Sequence, residues 1–98
     1  MANTEVRLHP LAADEAESAH WWYRERNIAA AEEFLQELDA AMEAIAEAPD
    51  RWPRVHSRYR RFLLHKFPFS VVYIRRQTIV EVIAIAHHRR QPGYWKHR

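Results

Sequence analysis

The sequence predicts an α+β fold of order β-α-α-β-β-β, in which a two-helix hairpin packs on a small, mainly antiparallel sheet. Apolar residues in the first half of the chain recur at helical spacing, whereas the second half holds three runs rich in β-branched and aromatic residues. The 98 residues include one glycine and no cysteine. We therefore expect one domain over 1–98, without a disulfide framework or a thiolate metal site.

A short strand is predicted at the start of the chain, within residues 4–10. Val6 and Leu8 alternate with polar residues, and Pro10 ends the strand because it cannot donate to a sheet ladder. These first residues lack the layout of a signal peptide, and no apolar run approaches the roughly 20 residues needed to span a bilayer. We expect a cytoplasmic protein without membrane contact.

Two helices are predicted next, over 11–27 and 28–48. The first has acids in its early turns and arginines in its last turn, as the helix dipole favours. Asn27 is predicted to cap or break the pair, and the second helix carries an apolar stripe with acids opposite. Pro49 is expected to end it.

Three strands are predicted in the second half, over 60–67, 69–76 and 78–88. They follow a linker, 48–61, in which two prolines interrupt any periodicity and Trp52 is expected to contact the core.

The last of these strands is apolar on both faces, as expected of a central strand. Its alanine-rich face is predicted to stay open to a partner; that face comprises Val80, Val82, Ala84 and Ala86.

Charge divides the chain into two halves. Residues 1–50 hold twelve acids against three arginines, a net charge of −9, and residues 51–98 hold twelve Lys and Arg against one acid, a net charge of +11. This division favours a basic surface for a polyanion or an acidic protein partner. The alternative is that the two halves neutralise each other across the fold.

Basic residues concentrate on the predicted sheet, beside Tyr94 and Trp95. Arginine and lysine bind phosphate, and aromatic rings beside them commonly stack on single-stranded bases, so nucleic acid is the natural ligand class. An acidic peptide suits the same surface. The residues predicted to bind nucleic acid or a partner are Arg60, His65, Lys66, Arg75, Arg90 and Trp95. The alternative for both rings is a place in the core.

A histidine near the end of the last strand could serve as base or acid in RNA cleavage, with arginines stabilising the charged phosphate. The candidate catalytic residues are His88, His87, Arg61, Arg89 and Tyr94. This chemistry needs no cofactor or metal, and adjacent histidines on a strand point to opposite faces, which disfavours chelation. The alternative is that both histidines are structural. The carboxylates of the helices are expected to form a solvated face, and residues 96–98 are expected to be solvated too.

Several segments in this order resemble the RelE/ParE family of toxins from bacterial type II toxin-antitoxin modules, often labelled plasmid-stabilisation proteins. They are VRLHPLAADE, WWYRER, AAEEFLQELDAAMEAIAEAPDRWP, RRFLLHKFPFSVVY and VIAIAHHRRQPGYWKHR, and together they span nearly the whole chain. The segment FPFSVVY and the pattern of His87, Arg89 and Arg90 are nearer to ParE-labelled sequences.

The resemblance implies the fold given above and a cognate antitoxin whose acidic, partly disordered tail wraps the toxin in a hetero-oligomer. It implies two alternative activities. RelE-like members are ribosome-dependent mRNA endonucleases, or mRNA interferases, whereas ParE-like members inhibit DNA gyrase. The lysine-rich strand of the nucleases is represented here only by Arg61, His65 and Lys66. A member without toxicity, which only binds its antitoxin or a nucleic acid, is the alternative from another class.

Overall fold

A computed structural model describes residues 4–98, in which two helices pack on one face of a five-stranded sheet. The elements are β1 (Glu5–Leu8), α1 (Pro10–Arg26), α2 (Ile28–Glu47), β2 (Arg54–His56), β3 (Tyr59–Leu63), β4 (Phe69–Arg76) and β5 (Ile79–His87). The spatial order is β1-β5-β4-β3-β2, with β1 parallel to β5 and every other neighbouring pair antiparallel. The predicted fold class is confirmed. Within residues 4–98, no helix is long and apolar enough to cross a membrane.

Side-chain caps set the ends of both helices. Pro10 occupies the first position of α1, where no backbone N–H is required, and His9 Nδ1 accepts a hydrogen bond from the Leu11 N–H at 3.1 Å. Asn27 separates the helices, because its Oδ1 accepts the Ala30 N–H at 3.1 Å. The prediction of a cap at Asn27 is confirmed, and the helix bounds lie within one residue of those predicted.

The predicted linker contains a strand that periodicity did not reveal. Arg54–His56 is only three residues long, and it forms because it pairs with β3 across a tight turn in which Ser57 has a φ of 50°. Trp52 contacts the core as predicted, with its ring 4.6 Å from that of Phe62.

The strand β3 is shorter than predicted and ends at Leu63. His65 and Lys66 therefore lie in the turn that leads to β4. Both of their backbone N–H groups donate to the carboxylate of Glu37 on α2, which satisfies these groups outside any sheet ladder.

An irregularity in the β4–β5 pairing changes which side chains face the helices. Val72 pairs with Ala84 and Tyr73 with Val82, so Ile83 is an extra residue in β5. Val82 packs in the helix-side core, whereas Ala84 packs on the opposite side. The prediction of one open alanine-rich face is therefore wrong, because a bulge interrupts the alternation on which it depended.

The sheet separates two apolar clusters. The larger one lies under the helices and is built around Phe34, Leu38 and Ile45 of α2. The smaller one lies on the other face, where Trp95 packs against side chains of β4 and β5; its strand members are Val72, Ile74, Ile83 and Ala84.

Candidate functional site

A groove of about 680 Å³ lies on the sheet face opposite the helices, and we call it the sheet groove. β3, β4 and β5 form its floor, and one wall is the start of residues 92–98, which we call the C-terminal segment. Three lining residues are cations, Arg61, Arg90 and Lys96, and three are histidines, His56, His87 and His88. No aspartate or glutamate of residues 4–98 lines it, so its field is positive.

The floor of the sheet groove brings two of the candidate catalytic residues to one face. His88 follows β5, and its Nε2 lies 3.0 Å from Oγ of Ser70 on β4. Ser70 is only 3% exposed, so it orients the imidazole from beneath. Arg61 projects from β3 into the same groove, and its guanidinium forms no ion pair within the described part of the chain.

Apolar side chains accompany this charge. Leu63 is 48% exposed and Val55 is 39% exposed, and both line the sheet groove together with Val72 and Ala86. Exposed apolar residues beside cations are typical of a surface that binds another molecule. The groove therefore presents charge and apolar contact together.

His87 turns away from His88, as predicted for neighbours on a strand. Its ring packs edge-on against Phe69 at 4.9 Å, on the helix side of the sheet. Its Nδ1 accepts the Arg89 N–H at 3.0 Å, which leaves the proton of the neutral ring on Nε2. The two histidines thus have different surroundings, although His87 also reaches the rim of the sheet groove.

A second groove, of about 1020 Å³, lies between α1 and the end of β5, and we call it the helix groove. Leu11 and Trp22 form its apolar side on α1, and Arg89 lines its other side. Arg89 does not line the sheet groove. Arg90 lines both grooves.

Glu15 of α1 links the C-terminal segment to the sheet. Its carboxylate accepts hydrogen bonds from the Tyr94 hydroxyl at 2.5 Å and from both terminal nitrogens of Arg98 at 2.8 and 2.9 Å. It also accepts the Ile85 N–H at 3.0 Å and lies 3.3 Å from Arg90 Nη1. Glu15 therefore joins α1, β5 and the C-terminal segment at one carboxylate.

These contacts shift the pKa of both groups of the Glu15–Tyr94 pair. Burial alone raises the pKa of Glu15, but the hydrogen bonds from Arg98, Tyr94 and Ile85 outweigh it, and the net pKa lies below the ordinary value. Burial, followed by the hydrogen bond to Glu15, raises the pKa of Tyr94. The Tyr94 hydroxyl is accordingly a protonated donor to Glu15, with the Arg90 guanidinium 3.6 Å from its ring centre.

Four of the other predicted binding residues lie outside both grooves. Lys66 pairs with Glu33 at 2.8 Å, and Arg75 pairs with Asp50 at 2.5 Å. Arg60 donates to the Trp52 carbonyl at 2.7 Å, and His65 is held at Glu37. The two halves of the chain thus neutralise each other in part, at the edges of the helix side, whereas Arg61 in the sheet groove forms no ion pair within residues 4–98.

At the end of the chain, the core alternative for Trp95 is supported and one expectation needs correction. Trp95 is 6% exposed and packs 4.8 Å from Tyr59, so it is a core residue and not an exposed stacking ring. The turn at Gly93, with a φ of 77°, directs it there. Arg98 was expected to be solvated, but its side chain is 11% exposed because Glu15 and the Ile83 carbonyl bind it.

Sequence reasoning missed Glu15, which it assigned to the solvated face of α1. The side chain is 15% exposed. A signal was present, because Glu15 follows the buried Ala12 by three residues and precedes the buried Ala19 by four. An acid at that spacing points toward the core and requires partners. Within residues 4–98, no group of three or more His, Asp or Glu is arranged to hold a metal ion.

Comparison with known proteins places this geometry in a family. No curated protein matches the chain. A solved structure described as "Chromosomal ParDE TA system from P. aeruginosa" has a similar fold, with a TM-score of 0.75 and 14% sequence identity over 86% of this chain and 95% of that one. The profile of the family described as "ParE toxin of type II toxin-antitoxin system, parDE" matches residues 6–92. The chain therefore belongs to the ParE toxin family of type II toxin-antitoxin systems.

Proposed function

We propose that this chain is a toxin whose sheet groove binds an acidic, partly disordered segment of a cognate antitoxin in a hetero-oligomer. The lining of the sheet groove carries the proposal. Arg61, Arg90 and Lys96 supply positive charge, and no carboxylate of the described residues lines the groove to oppose an acidic partner.

The apolar part of the lining favours a peptide over a nucleic acid. Val55, Leu63 and Ala86 offer aliphatic contact, which suits the side chains of a peptide and not a phosphodiester backbone. Trp95 is buried, and Tyr94 is covered by Arg90, so neither ring offers an open face for a base to stack on. A segment that combines acids with aliphatic residues fits both components of the groove.

We further propose that the toxin acts in the cytoplasm by inhibiting DNA gyrase. Two of the five candidate catalytic residues, His88 and Arg61, share the floor of the sheet groove. Tyr94 and His87 also line this groove, but the hydroxyl of Tyr94 is bound to Glu15 and the ring of His87 packs against Phe69 on the other side, while Arg89 lines the helix groove. This distribution supports a protein-binding surface, which needs no assembled set of proton donors and acceptors.

Cleavage of mRNA is the second candidate. The hydrogen bond between His88 and Ser70 fixes an imidazole beside Arg61, which is the minimum for a base and a phosphate-binding group. His88 would then be the base that removes the proton from the attacking hydroxyl.

Induction in bacterial cells tests the toxin role. We expect growth arrest on expression, relieved when a neighbouring reading frame that encodes an acidic protein is coexpressed. Harmless expression of the folded chain would instead support the member without toxicity, which only binds an antitoxin or a nucleic acid.

Two assays on the same material separate the targets. We expect the purified chain to inhibit supercoiling by gyrase, and primer extension on translated mRNA to show no new ends after induction. New ends, lost in a His88→Ala variant, would exclude the gyrase proposal and support cleavage.

A further inference from the structure

We propose that Glu15 is a positioning residue for the sheet groove, because it holds the C-terminal segment in place as the wall of that groove. This inference rests on the proposed function of the sheet groove. Glu15 does not itself line the sheet groove, so it acts through Tyr94 and Arg98.

The first step is the edge of β5. The strand β1 pairs with β5 only as far as Leu8 and Val82, and the chain then turns into α1. Beyond this point the Ile85 N–H donates to Glu15 at 3.0 Å, and the Ile83 carbonyl accepts from Arg98 at 3.0 Å. Glu15 and Arg98 thus satisfy the Ile85 N–H and the Ile83 carbonyl, which no longer have β1 beside them.

The second step is the charge inside this contact. The side chains of Glu15 and Arg98 are 15% and 11% exposed, so the charge of each requires the opposite charge of the other to offset the cost of its removal from water. Tyr94 donates to the same carboxylate, which orders the segment at two points four residues apart. Such charge-assisted hydrogen bonds are the strong ones in proteins.

The third step leads from the anchors to the groove. Trp95 lies between the two anchored residues and covers Val72, Ile83 and Ala84. The neighbouring residues Pro92 to Lys96 line the sheet groove. Loss of the hydrogen bonds from Tyr94 and Arg98 to Glu15 would therefore detach both the wall of the sheet groove and the cover of this apolar cluster.

A Glu15→Gln variant separates this role from a simple effect of charge. The substitution removes a negative charge near a positive groove, so electrostatics alone would strengthen the binding of an acidic peptide. A positioning role predicts weaker binding of the peptide, because the wall of the sheet groove loosens. Glu17→Gln is the matched control, since Glu17 is an exposed residue of the same helix and its loss changes the net charge equally.

The test combines amide hydrogen exchange with binding of a synthetic peptide that alternates glutamate and leucine. In Glu15→Gln we expect the amides of Ile85, Tyr94 and Arg98 to exchange about 10- to 100-fold faster, the loss that corresponds to removing hydrogen bonds to a charged group. The amides of Phe34 and Leu38 in α2 serve as internal references, which a local release leaves at their original rates. We expect the peptide to bind at least about tenfold more weakly.

The outcomes distinguish this inference from the proposed function. Unchanged exchange in the C-terminal segment, or equal acceleration at Phe34 and Leu38, would refute the positioning role. Local release with unchanged or tighter peptide binding would refute it as well. If the wild-type chain does not bind the peptide but Glu15→Gln still releases the segment locally, the anchoring stands and the proposed function of the groove fails.

Discussion

The two faces of the sheet are covered by different means. On the helix side, α1 and α2 cover Val71, Tyr73 and Ile85 completely. On the other side, the C-terminal segment covers part of the face with Trp95, and the remainder is the sheet groove. A face covered by two long helices is buried, whereas a face covered by one short segment keeps a groove that leaves room for a partner.

The cations follow the same division. Lys66 and Arg75 pair with acids of α2 and of the turn that follows it, at the edges of the helix side. Arg61 and His88 face the sheet groove, where, among residues 4–98, Ser70 is the only side chain that hydrogen-bonds to either of them. The positive charge of the second half therefore has a different fate on the two faces. Lys66 and Arg75 are ion-paired at the edges of the helix side, whereas Arg61 in the sheet groove stays available to a partner.

The largest effect is expected on the helix side. Phe34 is fully buried and its ring contacts those of Tyr23, Phe67 and Phe69. Phe34→Ala should lower the free energy of unfolding by about 3–5 kcal/mol, because it opens a cavity in the larger cluster. Urea denaturation measures the change, and Leu35→Ala, at the exposed neighbour, should cost far less. Equal losses in the two variants would contradict this assignment of the core.

A smaller effect is expected from the cover of the opposite face. Trp95→Ala should lower the free energy of unfolding by about 3 kcal/mol, the lower end for a buried aromatic residue, because the segment that carries it can readjust. His97→Ala, at an exposed position of the same segment, should leave the denaturation midpoint nearly unchanged. If Trp95→Ala lowered the free energy of unfolding no more than His97→Ala does, the smaller cluster would not contribute to stability.

On the helix side, the buried hydroxyl of Tyr73 should make the stability of the fold depend on pH. Its hydroxyl donates to the Pro49 carbonyl at 2.7 Å, and burial raises its pKa to about 12. The folded state keeps this proton where the unfolded chain has released it, so stability falls as pH rises from about 10 to about 12.

Tyr73→Phe should therefore flatten this part of the stability curve. At neutral pH the variant should lose about 1–3 kcal/mol, because the Pro49 carbonyl is left without its donor. Denaturation at several pH values measures both effects. A variant as steep as the wild type between pH 10 and 12 would assign the alkaline loss to another group.

The smallest effect on stability is expected at the exposed arginines. Arg61→Ala and Arg75→Ala should each change the free energy of unfolding by no more than about 0.5–1 kcal/mol, as is usual for exposed charges. Binding should separate them. Arg61→Ala should weaken the binding of an acidic peptide and reduce the salt dependence of that binding. Arg75→Ala should change neither, because Arg75 is already paired with Asp50. Equal weakening by both would show that the peptide responds to net charge and not to the sheet groove.

The sequence by itself determined the fold class, the two helices and the cap at Asn27. These features depend on local spacing and on the hydrogen-bonding capacity of single residues, which can be read along the chain. The concentration of positive charge in the second half was also evident, and so was the divergence of His87 and His88.

Only the tertiary structure decided which residues meet. The bulge at Ile83 ended the predicted alanine-rich face, because register depends on two paired strands and not on one. Arg61 stayed in the groove while Lys66 did not, because Glu33 lies beside Lys66. Glu15 meets Arg98 across 83 residues of sequence, and a carboxylate at helical spacing gives no sign of so distant a partner.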